Sequence, residues 1–298
     1  MKKLLTLMAL LLLTGAANAQ NADKKYLVYG IGFYNLENLF DTCHDEGKKD
    51  YEYLPTGKNK WGAMKYTHKL RNMARVLSEM GTDMQPLLGC AAIGVAEVEN
   101  AKCLTDLCNQ EPLKARNMQF CHIEGPDVRG VDCAVLYNPS LFTVRNTKLV
   151  PYVYNRAEDS LRATRGFLVV SGTLADEHVT IVVTHLPSRL GKGSYFREQG
   201  GLQLRAVKDS LIKDDPNVKI LVMGDMNDDP KDRSMSVMLG AKRDMNKVGK
   251  NDMFNPWWNI HASGTGTLMY QGAWNLFDQI ILSPSLLDIK KKKDYSSL

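Results

Sequence analysis

The chain has 298 residues, of which 44% are hydrophobic and 24% are charged, values close to those of soluble globular proteins. Its 38 Lys and Arg and 33 Asp and Glu leave a formal net charge of +5. These values exclude a mostly disordered chain, a fibrous repeat and a protein with several membrane spans. The sequence has no internal repeat and no linker rich in Pro, Gly or Ser, so one folded domain is favoured over two.

The N-terminus has the three parts of a secretory signal peptide. Lys2 and Lys3 precede an apolar segment at 4–13, and Ala-Asn-Ala at 17–19 matches the A-x-A cleavage pattern. The apolar segment is too short to span a membrane, which takes roughly 20 residues. We therefore predict a signal peptide at 1–19, a mature domain at 20–298 that is periplasmic or extracellular, and no transmembrane segment. A buried N-terminal helix is the alternative.

The remaining basic residues include four lysines at 290–293. Without these and without Lys2 and Lys3, the net charge of +5 becomes −1. A body this close to neutral disfavours a protein that holds long DNA mainly through phosphate contacts. The six cysteines permit disulfides in an exported protein, with 15 pairings left open, but Cys90 and Cys133 lie in apolar runs and are predicted to be buried thiols.

Eight short apolar and β-branched runs, separated by Gly, Pro, Asn and Asp, predict strands. They lie at 26–34, 90–96, 118–123, 131–137, 166–172, 179–185, 218–224 and 276–283. Apolar residues spaced by four and three from Tyr66 to Met80 predict one amphipathic helix, and residues 197–213 predict another. Because the strands do not alternate regularly with helices, a sandwich with helices outside is favoured over a Rossmann sheet.

Polar residues gather where several of these predicted strands end. The clusters lie at 35–38, 97–100, 185–189 and 225–230, and Asp278 lies inside the last apolar run. Any one cluster is consistent with a turn, a cap or a surface charge, but an ionised Asp278 is costly to bury unpaired. Together they predict one polar pocket at the edge of a sheet. Carboxylate and amide oxygens are ligands for Mg²⁺ or Mn²⁺ rather than zinc, and Asp near His and Asn suits water activation at phosphorus.

The motifs at these positions resemble those of a known superfamily. In chain order they are FYNLENLF, GVAEVEN, RGVDCAVLY, THLPSR, GDMNDDP and FDQIILS. This series is similar to the endonuclease/exonuclease/phosphatase superfamily, which includes deoxyribonucleases, apurinic endonucleases, sphingomyelinases and inositol polyphosphate 5-phosphatases. The resemblance extends from about residue 26 to residue 284. It implies an α/β fold, a four-layer α/β/β/α sandwich like that of deoxyribonuclease.

The resemblance also implies roles for individual residues. Asn35 and Glu97 match the metal site, which implies Mg²⁺ or Mn²⁺ as cofactor, with Glu97 as the direct carboxylate ligand. The catalytic matches are His185 as a hydrogen-bond donor to phosphate, Asp225 as the group that activates water, Asn227 as its companion and Asp278 as a buried carboxylate that orients a final histidine. Arg129 and Arg189 are candidate substrate-binding residues, because guanidinium groups match phosphate oxygens, with surface salt bridges as the alternative.

The sequence departs from the superfamily pattern at one place. The superfamily ends with a strand that carries Ser-Asp-His, and this tripeptide does not occur here. The domain at 20–298 is therefore predicted to be C-terminally incomplete, with the last strand apparently missing. A shortened gene product and a natural variant are both consistent with this pattern.

These observations predict an exported, Mg²⁺-dependent phosphoesterase that hydrolyses phosphodiester or phosphomonoester bonds by metal-assisted in-line attack of water. The substrate is a phosphate ester, either nucleic acid, lipid phosphate or sugar phosphate, and no protein partner is evident. The alternative is a catalytically impaired fragment, or a non-catalytic binding module that keeps the fold. A structural envelope protein would leave the polar clusters unexplained.

Overall fold

A computed structural model describes residues 27–153, 164–189 and 193–287. The predicted signal peptide and the four lysines at 290–293 lie outside the described residues, as does the chain after Leu287 on which the prediction of a missing strand depends. Both predictions therefore stay predictions. Within the described residues, no helix is both long enough and apolar enough to cross a bilayer.

The first sheet has four strands in the order β1-β2-β4-β3. They are β1 (Gly30–Leu39), β2 (Cys90–Val98), β3 (Gln119–His122) and β4 (Asp132–Tyr137). The β1/β2 pair is parallel and the other two pairs are antiparallel. Eight of the nine residues of β2 are buried, as expected for a central strand that is covered on both faces.

The second sheet has seven strands in the order β5-β6-β7-β8-β13-β10-β9. They are β5 (Phe142–Val150), β6 (Phe167–Leu174), β7 (Glu177–His185), β8 (Lys219–Asp225), β9 (Ala241–Lys242), β10 (Met253–Phe254) and β13 (Asp278–Leu282). The β7/β8 and β9/β10 pairs are parallel, and β13 runs antiparallel to β8. The strands β11 (Leu268–Tyr270) and β12 (Ala273–Asn275) form a separate two-stranded hairpin.

Helices cover the outer face of each sheet. They are α1 (Ala63–Glu79), α2 (Ala101–Cys108), α3 (Glu111–Lys114), α4 (Tyr195–Asp214), a π-helix (Ser234–Leu239) and α5 (Trp257–Ala262). One apolar cluster joins α1, α2 and α3 to the first sheet, and a second joins α4 and the π-helix to the other sheet. A third cluster lies between the two sheets. The predicted four-layer sandwich is confirmed, since each amphipathic element buries its apolar face against the next layer.

The elements predicted from the sequence are confirmed, with shifted ends. Helix α1 buries Tyr66, Leu70 and Leu77, which belong to the predicted apolar face. The predicted helix at 197–213 lies inside α4. All six cysteines lie in the described part of the chain and are free thiols, and both Cys90 and Cys133 are buried. Strand β5 is an edge strand with exposed polar residues, and it was not predicted because its sequence lacks a continuous apolar run.

Strand register brings the predicted polar clusters to one edge of the sandwich. The carboxyl ends of the parallel strands β1 and β2 lie together, and Asn35 pairs with Ala96 just before Glu97. In the second sheet Asp225 lies between His185 on β7 and Asp278 on β13. His185 and Asp225 are the last residues of β7 and β8, and Asp278 is the first residue of β13. Asn35 and Glu97 lie inside the carboxyl-terminal halves of β1 and β2, so both sheets hold these residues on strand backbone.

Gly224 precedes Asp225, and its backbone has no room for a side chain. Its φ is +154°, and a Cβ atom built there would lie 1.9 Å from the carbonyl oxygen of Thr184. We expect Gly224→Ala to lower the free energy of unfolding by roughly 1–3 kcal/mol, because β7 and β8 must separate locally. Urea unfolding measures this change. Gly62→Ala is the control, because a Cβ there meets nothing within 4 Å; equal losses in both variants would contradict the steric argument.

Candidate active site

Four of the predicted site residues meet through their side chains. The Nδ2 atom of Asn35 donates to Glu97 Oε1 at 3.2 Å and to Asp225 Oδ2 at 3.1 Å. His185 Nε2 lies 3.7 Å from the same Glu97 oxygen and 3.8 Å from the same Asp225 oxygen. These residues lie on β1, β2, β7 and β8. The site therefore combines residues of both sheets at the edge of the sandwich where the carboxyl ends of these four strands meet.

This group could hold a metal ion. One ligand atom from each of Glu97, His185 and Asp225 lies within 4.8 Å of the other two, the one such group among the described His, Cys, Asp and Glu residues. Two carboxylates suit a hard divalent cation, and the imidazole suits Mn²⁺ better than Mg²⁺. Asn35 turns its amide nitrogen to the carboxylates, while its Oδ1 accepts from the backbone N–H of Glu37 at 2.8 Å. In this arrangement Asn35 holds the carboxylates in place, and its role as a metal ligand stays a prediction.

Asn227 and Asp278 flank Asp225. The backbone N–H of Asn227 donates to Asp225 Oδ1 at 2.9 Å, and its side-chain Nδ2 donates to the carbonyl oxygen of Leu186 at 2.9 Å. Asn227 therefore ties the end of β8 to the end of β7. Asp278 is paired directly with Asp225 across β13 and β8. The backbone N–H of Asp278 donates to Thr267 Oγ1 at 3.2 Å.

The two predicted substrate-binding arginines lie in different surroundings. Arg129 has a half-exposed side chain whose Nε lies 3.6 Å from Asp127 Oδ1, and its charge also acts on His185 and Tyr53. Arg189 donates to Asp229 at 3.0 Å and to Asp232 at 2.8 Å, and its guanidinium lies over a phenylalanine ring. Both arginines thus have salt bridges, as in the alternative interpretation. Phosphate contact by either residue stays a prediction.

Arg165 and Asp127 are further residues at the site that were not predicted from the sequence. Both are buried, and Arg165 Nη1 donates to Asp127 Oδ2 at 2.8 Å. The other guanidinium nitrogens of Arg165 donate to the carbonyl oxygens of His185 at 3.0 Å and Leu186 at 3.4 Å. Asp127 Oδ1 accepts from the backbone N–H of Arg129 at 2.9 Å. This pair joins the loop of Arg129 to the end of β7. The sequence signal was weak: one arginine directly before an apolar run.

The backbone of the site is strained. Non-glycine residues with positive φ include Glu37 at +52°, Asn38 at +61°, Glu97 at +62° and Asn227 at +50°. The register of β1 against β2 shifts between Asn35 and Leu39, so the first two residues lie in a β-bulge. Left-handed backbone at non-glycine residues costs free energy and gathers at functional sites. Here the backbone N–H of Glu37 in the bulge donates to Asn35 Oδ1, which fixes the side-chain amide with its nitrogen toward the carboxylates.

Burial changes the protonation of three groups at the site. Burial raises the pKa of Asp225 to about 6, with the charge of Glu97 as a smaller cause. Burial, followed by the charge of Asp225, raises the pKa of Asp278 to about 7. Burial, followed by the charges of Arg165 and Arg129, lowers the pKa of His185 well below its ordinary value. At neutral pH the imidazole is therefore neutral and Asp278 is partly protonated.

The raised carboxyl pKa values predict a pH-dependent stability. Between about pH 4, the ordinary carboxyl pKa, and about pH 7, Asp225 and Asp278 together bind more protons in the folded protein than in the unfolded chain. Their contribution to the free energy of unfolding of the metal-free protein should therefore fall as pH rises through this range. The lowered pKa of His185 acts in the opposite direction, but only below its ordinary pKa of about 6.5, so the fall should be clearest from about pH 6.5 upward. A divalent cation offsets the ionised carboxylates, so excess MgCl₂ should raise Tm more at pH 8 than at pH 5. Thermal unfolding against KCl of equal ionic strength measures this, and equal shifts at both pH values would contradict it.

Comparison with known proteins agrees with this geometry. The sequence profile of the Endonuclease/Exonuclease/phosphatase family matches residues 30–298. The chain belongs to this family. Membership supports a phosphoric ester hydrolase in general terms. No curated protein matches the sequence.

Solved structures of this family share the fold at low sequence identity. Mannosyl-6-phosphatase Bt3783 of Bacteroides thetaiotaomicron VPI-5482 aligns with TM-score 0.55 and 12% identity, over 87% of this chain and 86% of that chain. Another family protein from Bacteroides thetaiotaomicron aligns with TM-score 0.54 and 12% identity, over 85% and 82%. Humanised TDP2 of D. rerio aligns with TM-score 0.51 and 15% identity, over 84% and 81%. These similarities establish the sandwich fold.

Proposed function

We propose that this family member is an exported phosphoesterase that depends on Mg²⁺ or Mn²⁺ and hydrolyses phosphodiester or phosphomonoester bonds. The observation that carries the proposal is the joined group of Asn35, Glu97, His185 and Asp225 at the open edge of the sandwich. Glu97 is the residue that would hold the cation. One possible ligand atom each of Glu97, Asp225 and His185 lies within 4.8 Å of the other two. When bound, the cation supplies positive charge to phosphate oxygens and favours ionisation of water.

The protein side chains handle the protons of the reaction. Asp225 has a pKa of about 6, so above that pH it is ionised and accepts a proton from water that attacks phosphorus. His185 is neutral, and its ring N–H stabilises charge on a phosphoryl oxygen. One amide hydrogen of Asn227 is donated to the carbonyl oxygen of Leu186, and the second can be donated to the phosphoryl group. Asp278 is the candidate general acid, because a pKa of about 7 leaves part of it protonated at neutral pH.

Hydrolysis of a substrate panel tests the proposed function. The panel contains bis-(p-nitrophenyl) phosphate, plasmid DNA, sphingomyelin, inositol phosphates and mannose 6-phosphate, each with Mg²⁺, with Mn²⁺ and with EDTA. We expect turnover of at least one ester that EDTA abolishes. No turnover of any ester with either cation would overturn the proposal and favour a binding module that keeps the fold.

Glu97→Gln separates the metal role from folding. We expect the concentration of cation needed for half-maximal activity to rise at least tenfold, because a carboxylate ligand is lost, while Tm in EDTA changes little. Glu111→Gln on the exposed start of α3 is the matched control. An unchanged cation requirement in Glu97→Gln would remove this residue from the metal site.

Export is the part of the proposal that rests on the sequence alone. The basic, apolar and A-x-A segments of residues 1–19 support it. N-terminal sequencing of the protein from an envelope fraction should find a start at or near Gln20. Intact Met1 on a cytoplasmic protein would contradict export and leave the phosphoesterase proposal untouched.

A further inference from the structure

The β11–β12 hairpin is an exposed apolar element at the rim of the candidate site. Leu268, Met269, Tyr270 and Trp274 are 47%, 53%, 63% and 45% exposed. The two strands pair only with each other, and the turn between them has positive φ at both central residues. A two-stranded hairpin alone is marginally stable in water, so its exposed apolar surface calls for a physical reason.

Both faces of this hairpin are apolar and exposed. Successive residues of a strand point to opposite faces, and all three residues of β11 are exposed. Met269 is paired with Trp274 on one face, while Leu268 and Tyr270 point to the other. A flat partner surface or a stacked base covers one face of a hairpin and leaves the other in water. Immersion in an apolar medium covers both.

The hairpin lies in an uncharged stretch of the chain. Residues 253–277 contain no Asp, Glu, Lys or Arg, although they contain three of the four Trp residues. No residue of this segment therefore carries a formal charge that immersion would desolvate. The cation that contacts it, Arg189, donates to Asn275 Oδ1 at 3.0 Å at the base of the hairpin and is paired with Asp229 and Asp232. Binding to a phosphate backbone, in contrast, relies on Lys and Arg. Trp and Tyr, which combine an apolar ring with a polar tip, are enriched at the boundary between lipid tails and water.

The size and position of the hairpin fit shallow insertion. Each strand has three residues, which corresponds to roughly 10 Å at about 3.3 Å per residue. Elements that lie in the bilayer interface bury about 5–10 Å of depth. At its base, Thr267 Oγ1 accepts from the backbone N–H of Phe277 at 3.1 Å and of Asp278 at 3.2 Å. Because Asp278 is paired with Asp225, an inserted hairpin would place the candidate site at the lipid surface.

We propose that the β11–β12 hairpin inserts into the interfacial region of a lipid bilayer and presents the site to phosphate esters of membrane lipids. The substrate class rests on the proposed function, whereas membrane binding does not. A lipid phosphate in the headgroup layer would meet the site without leaving the bilayer.

Vesicle binding by the full chain tests the inserted hairpin. The vesicles contain phosphatidylcholine alone, in salt at about 0.15 M, the physiological ionic strength. Because these vesicles carry no anionic lipid, the lysines at 290–293 cannot account for binding. Co-sedimentation is compared for the wild type, the double variant M269S/W274S and the single variant Trp274→Phe. Leu87→Ser is the matched control, because Leu87 is 86% exposed on another part of the molecule.

The expected results differ between the variants. M269S/W274S should lower the vesicle partition coefficient by roughly tenfold or more, because two apolar side chains no longer enter the interface, while its circular dichroism stays unchanged. Trp274→Phe should still bind but lose the vesicle-dependent change in tryptophan fluorescence, and Leu87→Ser should bind like the wild type. Equal binding of M269S/W274S and the wild type would overturn the insertion. A shift from dimer to monomer in M269S/W274S, without vesicle binding by the wild type, would instead assign the hairpin to a second copy of the chain.

Hydrolysis distinguishes failure of the substrate class from failure of the proposed function. The wild type should release phosphate products from phospholipid in vesicles faster than M269S/W274S does. Vesicle binding without lipid hydrolysis, but with turnover of bis-(p-nitrophenyl) phosphate, would overturn only the substrate class. Vesicle binding without turnover of any ester would overturn the proposed function and leave the membrane-binding hairpin in place.

Discussion

Asp225→Asn should lower kcat by 10²–10⁴-fold, the usual contribution of one general base. The carboxylate lies 3.1 Å from Asn35 Nδ2 and accepts the backbone N–H of Asn227, so both of its oxygens are oriented. An amide at this position keeps the shape but accepts no proton from water. Steady-state kinetics with p-nitrophenyl esters measures the loss, and Asp83→Asn on the exposed surface is the control.

The same substitution should leave the fold intact. Burial raises the pKa of Asp225 to about 6, so an ionised carboxylate at pH 8 is less favourable in the folded protein than in the unfolded chain. A neutral amide removes this destabilisation but has one accepting oxygen instead of two, so one of the hydrogen bonds from Asn35 and Asn227 is lost. Because the two effects oppose each other, we expect Tm at pH 8 to stay close to the wild-type value. Activity of Asp225→Asn within tenfold of the wild type would remove Asp225 as the base, whatever its effect on Tm.

Arg165→Met should destabilise the protein by about 3–5 kcal/mol, the usual cost of removing one partner of a buried ion pair. Asp127 is 4% exposed and would lose the buried cation that lies 2.8 Å from its Oδ2, keeping only the half-exposed Arg129, whose Nε lies 3.6 Å from its Oδ1. The carbonyl oxygens of His185 and Leu186 would each lose a donor. Chemical unfolding measures the change. Arg145→Met is the control, because Arg145 is exposed on β5 and donates to the Thr173 hydroxyl on β6.

The double variant D127N/R165M tests whether the unpaired charge causes the loss. An uncharged amide in place of the Asp127 carboxylate no longer requires a cation, so the double variant should be more stable than Arg165→Met alone. Arg165→Lys keeps the charge but reaches fewer of the three acceptors, and we expect its kcat to fall while KM stays close to the wild-type value. Additive losses in D127N/R165M would show that the two residues act independently.

The sequence predicted the layers of the fold because burial on both faces leaves a local signal. The runs that became β2, β4, β7 and β8 are continuous apolar segments, and the face of α1 repeats with the helical period. The edge strand β5 left no such signal, because its exposed positions carry polar residues. The short pairs β9/β10 and β11/β12 are held by tertiary neighbours and by a turn, and two or three residues are too few to show a period.

The sequence by itself predicted which chemical groups the candidate site contains. These groups stand at or just after the ends of predicted strands and belong to Asn35, Glu97, His185, Asp225, Asn227 and Asp278. Only the tertiary structure decided which atoms meet. Asn35 and Asp225 are 190 positions apart and share a hydrogen bond because strands of two different sheets end at one edge. The structure alone also showed Arg165 behind His185 and the exposed hairpin beside Asp278. Burial and exposure depend on residues distant in the chain, and local patterns do not encode those contacts.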